Sequence, residues 1–144
     1  MIIISHRGNF ESKNVKTENS PSQIDYVLSK NIQVEIDVRY NDGEWYLGHD
    51  YGEHIVSKQY LMDRKEMLWC HAKNISALQE MLELGLHCFW HQEDDYTLTS
   101  KGIIWAYPNK YTKKGILVMP KDDFIEKYKS SIYGICVDNV RDYL

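Results

Sequence analysis

The hydrophobic and polar positions of this chain follow short strand and helix patterns almost from end to end. Residues 2–5 form a continuous apolar run, which is typical of a buried parallel strand. Residues 33–39 alternate, with Val34, Ile36 and Val38 on one face and polar side chains on the other. Further strands are predicted over residues 44–48, 67–73, 87–91, 103–107, 116–119 and 134–137. The pattern therefore predicts about seven or eight strands.

Three helices are predicted between these strands. Ser20 caps the first, and Pro21 suits its first position. The second begins at Asn74 or Ser76 and ends at Gly85, and the third follows Pro120. Residues 51–65 show no clear pattern, and residues 94–100 and 109–114 are too short for full helices.

Strand–helix units joined by short connections imply a parallel sheet. No glycine-rich phosphate loop follows the first strand, which favours a barrel over a Rossmann sheet. The chain has 144 residues, fewer than the roughly 200–250 of a full barrel of this kind. The predicted fold class is therefore α/β, a reduced TIM-type (β/α) barrel with several shortened or missing helices, in one domain covering residues 1–144.

Composition restricts the possible partners. The net charge of −4 gives no basic surface for nucleic acid. The three cysteines are odd in number and lack CxxC spacing, so we expect buried free thiols in a cytoplasmic protein.

The apolar start is too short for a signal peptide or a membrane span. Missing helices would expose apolar barrel surface, which leaves a homodimer as an open alternative.

Polar residues capable of chemistry lie toward the ends of the predicted strands in the first third of the chain. They are His6-Arg7-Gly8, Glu35-Ile36-Asp37 and His49-Asp50. Residues 35 and 37 share a strand face, so both carboxylates can reach one cation. A cation and an arginine neutralise phosphoryl oxygens, while two imidazoles exchange protons near neutral pH. Taken alone, each group could equally belong to a solvated strand edge or a surface turn without a catalytic role. Asp50 could likewise only orient His49 or cap a turn.

These groups, together with Glu18-Asn19-Ser20 and Asp42-Gly43, resemble the N-terminal signature of the glycerophosphodiester phosphodiesterase family. That family shares a phospholipase-C-like phosphodiesterase barrel, and the likeness is dense over residues 3–50 and weak beyond them. The resemblance implies catalytic roles as acid and base for His6 and His49. It also implies that Glu35 and Asp37 hold a divalent metal ion, that Arg7 contacts the phosphate, and that Glu18 lies close to the metal.

The third strand departs from the family pattern. Where the family carries a metal-binding Glu two residues before Lys, this chain has His71 before Lys73. Imidazole suits Mn²⁺ or Zn²⁺ and is a poor ligand for Mg²⁺ or Ca²⁺. Either the metal preference has changed, or Glu18 or Glu93 supplies the third ligand.

Further candidates lie on the later strands. Lys73 is a candidate phosphate contact or a plain surface lysine, and His91 and Glu93 share a strand face with Phe89 near the substrate or the rim. Asp138, which ends the last strand, is a weaker candidate for a rim contact.

The function predicted from the sequence is metal-dependent hydrolysis of a small phosphodiester, such as a glycerophosphodiester of lipid metabolism. One divalent ion is expected: Mg²⁺, Ca²⁺ or Mn²⁺, or Zn²⁺ in view of His71. Two alternatives stay open: a degenerate barrel that binds a phosphorylated ligand without turnover, and a structural partner subunit. The sequence does not separate direct attack by water from a route through a cyclic phosphate.

Overall fold

The computed structural model describes residues 1–144, which form ten strands and four short α-helices. The strands are β1 (Ile2–His6), β2 (Gln33–Asn41), β3 (Glu44–Leu47), β4 (His54–Val56), β5 (Leu68–Ala72), β6 (Cys88–Phe89), β7 (Tyr96–Leu98), β8 (Ile104–Ala106), β9 (Ile116–Val118) and β10 (Gly134–Val137). The helices are α1 (Pro21–Ser29), α2 (Lys58–Asp63), α3 (Ile75–Glu83) and α4 (Asp122–Tyr128), and a 3₁₀ turn covers Val140–Tyr143.

All ten strands belong to one mixed sheet, which curves into a half-barrel. Parallel pairing joins β6, β5, β2, β1, β10, β9 and β8 in that spatial order. The hairpin of β3 and β4 continues antiparallel from the far end of β2, and β7 pairs antiparallel with β8.

The prediction of a reduced TIM-type (β/α) barrel is therefore wrong. A barrel of that class needs helices alternating with its strands. Here the chain returns from β2 as a hairpin, and it runs from β6 to β8 through the short strand β7 with no helix between them. No helix separates β8 from β9 either. The predicted strand over residues 87–91 also shrinks to Cys88–Phe89.

Several predicted elements are confirmed, and they build the main core. The alternation along β2 buries Val34, Ile36 and Val38 against the helices. At α1, the Ser20 hydroxyl accepts a hydrogen bond from the Gln23 backbone, and Pro21 is in the first turn. The three cysteines are free and buried, as expected.

A second, smaller cluster forms the floor beneath the candidate site. We call it the inner cluster, and it consists of one buried side chain from each of six strands: Ile4, Trp69, Phe89, Trp105, Ile116 and Cys136. Residues i and i+2 share one face of an extended segment. The residues two positions further along the chain therefore lie above this floor, and five of them are polar: His6, His71, His91, Tyr107 and Asp138.

The helices are short, with at most nine residues each. None combines the length and the apolar character that crossing a bilayer requires.

Candidate functional site

Strand register brings the predicted site residues to one edge of the sheet. His6 on β1 is paired with Glu35 on β2, and Asp37 on β2 is paired with His71 on β5. Because these strands are parallel, their carboxyl ends meet at the same edge. Asp138 joins them, since it follows β10, the other neighbour of β1.

Glu35, Asp37 and His71 form a buried group that we call the ligand triad. Their potential ligand atoms lie within 4.8 Å of one another. The His71 Nδ1 atom is 3.4 Å from Asp37 Oδ1 and 3.9 Å from Glu35 Oε1. Three donor atoms at such separations can surround one divalent cation.

Each side chain of the ligand triad keeps one buried polar atom without a hydrogen-bond partner. These atoms are Glu35 Oε2, Asp37 Oδ1 and His71 Nε2. An unsatisfied buried polar atom costs about 1–3 kcal/mol. A cation between the two carboxylates would satisfy the orphaned oxygens, so the residues present fit a divalent metal ion.

The pKa values of the two triad carboxylates are shifted in opposite directions. Burial and the charge of Asp37 raise the pKa of Glu35 above its usual value. Burial also disfavours ionised Asp37, but the nearby His71 imidazole, whose Nδ1 lies 3.4 Å from Oδ1, and the charge of Arg7 outweigh it and hold the pKa of Asp37 well below its usual range. Asp37 is therefore the permanent negative charge of the triad.

Asp37 is fixed by Asn19 and Arg7. The Asn19 amide donates to Asp37 Oδ2 and accepts from the Asp37 backbone N–H, both at 2.9 Å. Arg7 Nε lies 3.0 Å from the same Oδ2, so Oδ1 is the oxygen left for a ligand. Arg7 and Asn19 have φ values of 57° and 61°, in the left-handed region. Sequence reasoning gave Asn19 no role, although asparagine between Glu18 and a helix cap is a recognisable left-handed signal.

His6 belongs to a second group with Glu18 and Asp138. His6 Nδ1 lies 2.8 Å from Asp138 Oδ1, and the Asn9 amide donates to both Asp138 Oδ1 (2.8 Å) and Glu18 Oε2 (2.9 Å). Burial disfavours ionised Asp138, but the hydrogen bond with His6 prevails and lowers the pKa of Asp138. Asp138 is then an ionised acceptor, so the Nδ1 atom of His6 carries the proton. Sequence reasoning missed Asn9 entirely.

The remaining nitrogen of His6 is directed toward the ligand triad. His6 Nε2 lies 3.8 Å from Glu35 Oε2. Burial lowers the pKa of His6, but the Asp138 hydrogen bond and the Glu35 charge outweigh it, so the pKa is raised overall. His6 is therefore more readily protonated than a free histidine.

Neither carboxylate proposed as a replacement third ligand joins the triad. Glu18 lies with His6 and Asp138, and its Oε2 is 3.7 Å from Arg7 Nη1. Glu93 is exposed, because β6 already ends at Phe89 and the strand face expected to carry Glu93 does not continue. His71 is thus the third residue of the group.

Two cavities meet at Arg7 and His49. One of ≈ 350 Å³ extends from them past His71, Ala72, Lys73, Trp90, His91, Gln92 and Tyr107. The other, of ≈ 380 Å³, extends past Lys13, Val15, Glu18, Asn19, Asp50 and Glu53. His49 is partly exposed, and its Nδ1 lies 2.8 Å from Asp50 Oδ1. We call these the β5-side cavity and the loop-side cavity.

His91 lies in the β5-side cavity against the ligand triad. Its ring is parallel to that of His71, with centroids 4.6 Å apart and planes at 6°. Burial lowers the pKa of His91 to about 4, so this ring is neutral at neutral pH. Lys73 lines the same cavity, and its role as a phosphate contact stays a prediction.

Comparison of the chain with protein-family models, with curated proteins and with solved structures finds no match in any of the three. The likeness to glycerophosphodiester phosphodiesterases therefore stays a prediction, and function is inferred from the geometry of the site.

Proposed function

We propose that this protein is a metal-dependent phosphodiester hydrolase. The observation that carries the proposal is the position of the buried ligand triad beside Arg7 and two imidazoles, at the edge where the parallel strands end. A divalent cation bound by Glu35, Asp37 and His71 would supply Lewis-acid stabilisation of the phosphoryl oxygens.

The β5-side cavity suits the phosphate. Arg7 and Lys73 line it, and no carboxylate does. Arg7 is oriented by Asp37 through Nε and by Glu18 near Nη1. A guanidinium held in position can stabilise the negative charge that develops on the phosphoryl oxygens.

The two histidines have distinct environments that suit opposite roles. The raised pKa of His6 favours the protonated form, which donates a proton to the leaving alkoxide. At His49, Asp50 engages Nδ1 and leaves Nε2 to accept a proton from the attacking water or hydroxyl. We therefore assign His6 as the general acid and His49 as the general base.

The paired cavities favour a diester over a monoester as substrate. A diester has two ester arms, and a cavity lies on each side of Arg7 and His49. The resemblance noted from the sequence adds the substrate class, a glycerophosphodiester or a related small diester.

Hydrolysis of bis-(p-nitrophenyl) phosphate in the presence of Mg²⁺, Mn²⁺, Ca²⁺ or Zn²⁺ tests this function. We expect turnover with at least one metal, and a loss of about 10²–10⁴ in kcat for His6→Gln and for His49→Gln. His54→Gln is the matched control, because His54 on β4 lies 3.8 Å from Glu53 and lines neither cavity. Folded protein without turnover under any metal would contradict the proposal and favour binding of a phosphorylated ligand.

A further inference from the structure

We propose that the ligand triad selects a borderline transition-metal ion, of the class of Mn²⁺ and Zn²⁺, over Mg²⁺ and Ca²⁺, and that His71 sets this preference. The inference rests on the proposed function, since it names the metal ion of the same site. It follows from the donor atoms, their burial and the packing of the His71 ring.

The donor set is two carboxylates and one imidazole. Mg²⁺ and Ca²⁺ favour sites made of oxygen atoms, whereas imidazole nitrogen raises affinity for Mn²⁺ and more strongly for Zn²⁺. A third carboxylate does not reach the triad. Glu18 Oε2 accepts from Asn9, Asp138 Oδ1 is engaged by both His6 and Asn9, and Glu93 is exposed.

The orphaned atoms point to a bound cation independently of the donor count. Glu35 and Asp37 are 3% and 0% exposed, yet Glu35 Oε2 and Asp37 Oδ1 have no hydrogen-bond partner. Asn19 and Arg7 hold the other oxygen of Asp37, so Oδ1 is directed toward His71 Nδ1. The unsatisfied Asp37 Oδ1 thus faces the nitrogen that distinguishes the two classes of metal, and Glu35 approaches the same nitrogen through its other oxygen, Oε1, at 3.9 Å.

The His71 ring is held so that this nitrogen stays in place. It is parallel to the Phe89 ring at 4.9 Å and 11°, and to the His91 ring at 4.6 Å and 6°. Phe89 is also paired with His71 in strand register. Rotation of the imidazole would break both stacks, so Nδ1 is preorganised toward the carboxylates.

Calorimetric titration of the metal-free protein with Mn²⁺, Zn²⁺, Mg²⁺ and Ca²⁺ tests the preference. We expect the wild type to bind Mn²⁺ and Zn²⁺ at least about tenfold more tightly than Mg²⁺ and Ca²⁺. His71→Glu should reduce this ratio by about tenfold or more, because it restores an all-oxygen set. His54→Gln is the matched control, because His54 on β4 lies outside the triad and lines neither cavity, so the ratio should be unchanged.

A second measurement needs no variant that could fail to fold. Electron spin-echo spectroscopy of the Mn²⁺-loaded wild type should show ¹⁴N coupling from one directly bound imidazole. Coordination by oxygen alone would overturn the proposal. Binding of Mg²⁺ or Ca²⁺ as tight as that of Mn²⁺ and Zn²⁺ would also overturn it, as would an unchanged ratio in folded His71→Glu.

Failure of this inference and failure of the proposed function give different results. Nitrogen-coordinated Mn²⁺ without hydrolysis of any diester would support the metal preference and contradict the hydrolase. Hydrolysis supported equally by Mg²⁺, with no ¹⁴N coupling, would support the hydrolase and overturn the metal preference.

Discussion

The hydrogen bond between His6 and Asp138 decides which nitrogen of His6 faces the ligand triad. Because Asp138 accepts a hydrogen bond from the protonated Nδ1, Nε2 is the His6 nitrogen that lies near Glu35. Asp138 acts here as a positioning residue. It was only a weak rim candidate in the sequence, because a residue that ends the last strand gives no sign of its contact with the first.

Replacing Asp138 by Asn should lower both the pKa of His6 and the rate. The variant removes the charge that raises the pKa of His6 and loosens the ring, so we expect kcat to fall by about 10²-fold. NMR titration of His6 and steady-state kinetics measure the two effects. Asp142→Asn is the control, because Asp142 contacts Asn139 at the surface. An unchanged His6 pKa in the Asp138→Asn variant would contradict this role.

A second histidine, His87, should make the stability of the protein depend on pH. His87 is 5% exposed and pairs with the Thr99 hydroxyl at 2.7 Å, and burial lowers its pKa to about 4. Unfolding returns the pKa to about 6.5, so the unfolded chain binds more protons between these values. The free energy of unfolding should therefore fall by about 2 kcal/mol from this residue between pH 7 and pH 5.

Urea unfolding of the wild type and of His87→Gln at pH 7 and pH 5 measures this contribution. The decrease on acidification should be about 2 kcal/mol smaller in the variant. Equal decreases in both proteins would contradict the account of His87.

At the scale of elements, β2 is the strand whose placement the sequence predicts best. Its strict alternation identifies Glu35 and Asp37 as neighbours on one face, and the structure buries Val34, Ile36 and Val38 on the other. The alternation is clear because one face of β2 packs on the core and the other lines the polar site.

The start of α3 gives a test of local sequence signals. The Asn74 side chain accepts from the Ala77 backbone at 2.9 Å and donates to Tyr40 O and Asn41 Oδ1 on β2. Asn74→Ala should lower the free energy of unfolding by about 1–2 kcal/mol. Lys121, which precedes α4, makes no cap hydrogen bond. Lys121→Ala should therefore change the free energy of unfolding by less than about 0.5 kcal/mol. Denaturant titration compares the two, and equal losses would contradict the capping role.

The elements that the sequence did not reveal are β4, α2 and β7. Strands β4 and β7 have three residues each, and β7 presents two exposed side chains, Tyr96 and Leu98. Such segments bury too little to leave a periodic pattern, and long-range pairing with β3 and β8 defines them. The fold class was mispredicted for the same reason, since these strands occupy connections that showed no clear pattern or were too short for a full helix.

At the scale of the whole molecule, much of the candidate site could be predicted although the fold class was wrong. Parallel strands bring their carboxyl ends together in either architecture, so His6 on β1, Glu35 and Asp37 on β2, and His71 on β5 converge. The same reasoning could not predict which loop residues contact the site. Asn9 and Asn19 reach the site through turns whose geometry no periodicity encodes.

The homodimer stays a prediction, and β7 is the edge we expect to mediate it. Its outer backbone groups are unpaired in the sheet, and Leu98 and Tyr96 are 65% and 46% exposed. Light scattering at micromolar concentration should give twice the 17.0 kDa mass of the chain. Leu98→Lys should restore the monomer, whereas Ile55→Lys on the opposite edge β4 should not. A monomeric wild type would contradict the prediction.

Anomalous diffraction from a crystal soaked with Mn²⁺ tests the central claim most directly. We predict one strong peak at the manganese edge between the side chains of Glu35, Asp37 and His71, with Nδ1 as the ligand atom of His71. Density for Mn²⁺ only at other residues, or an ion bound at this edge of the sheet without Glu35 and Asp37, would contradict it.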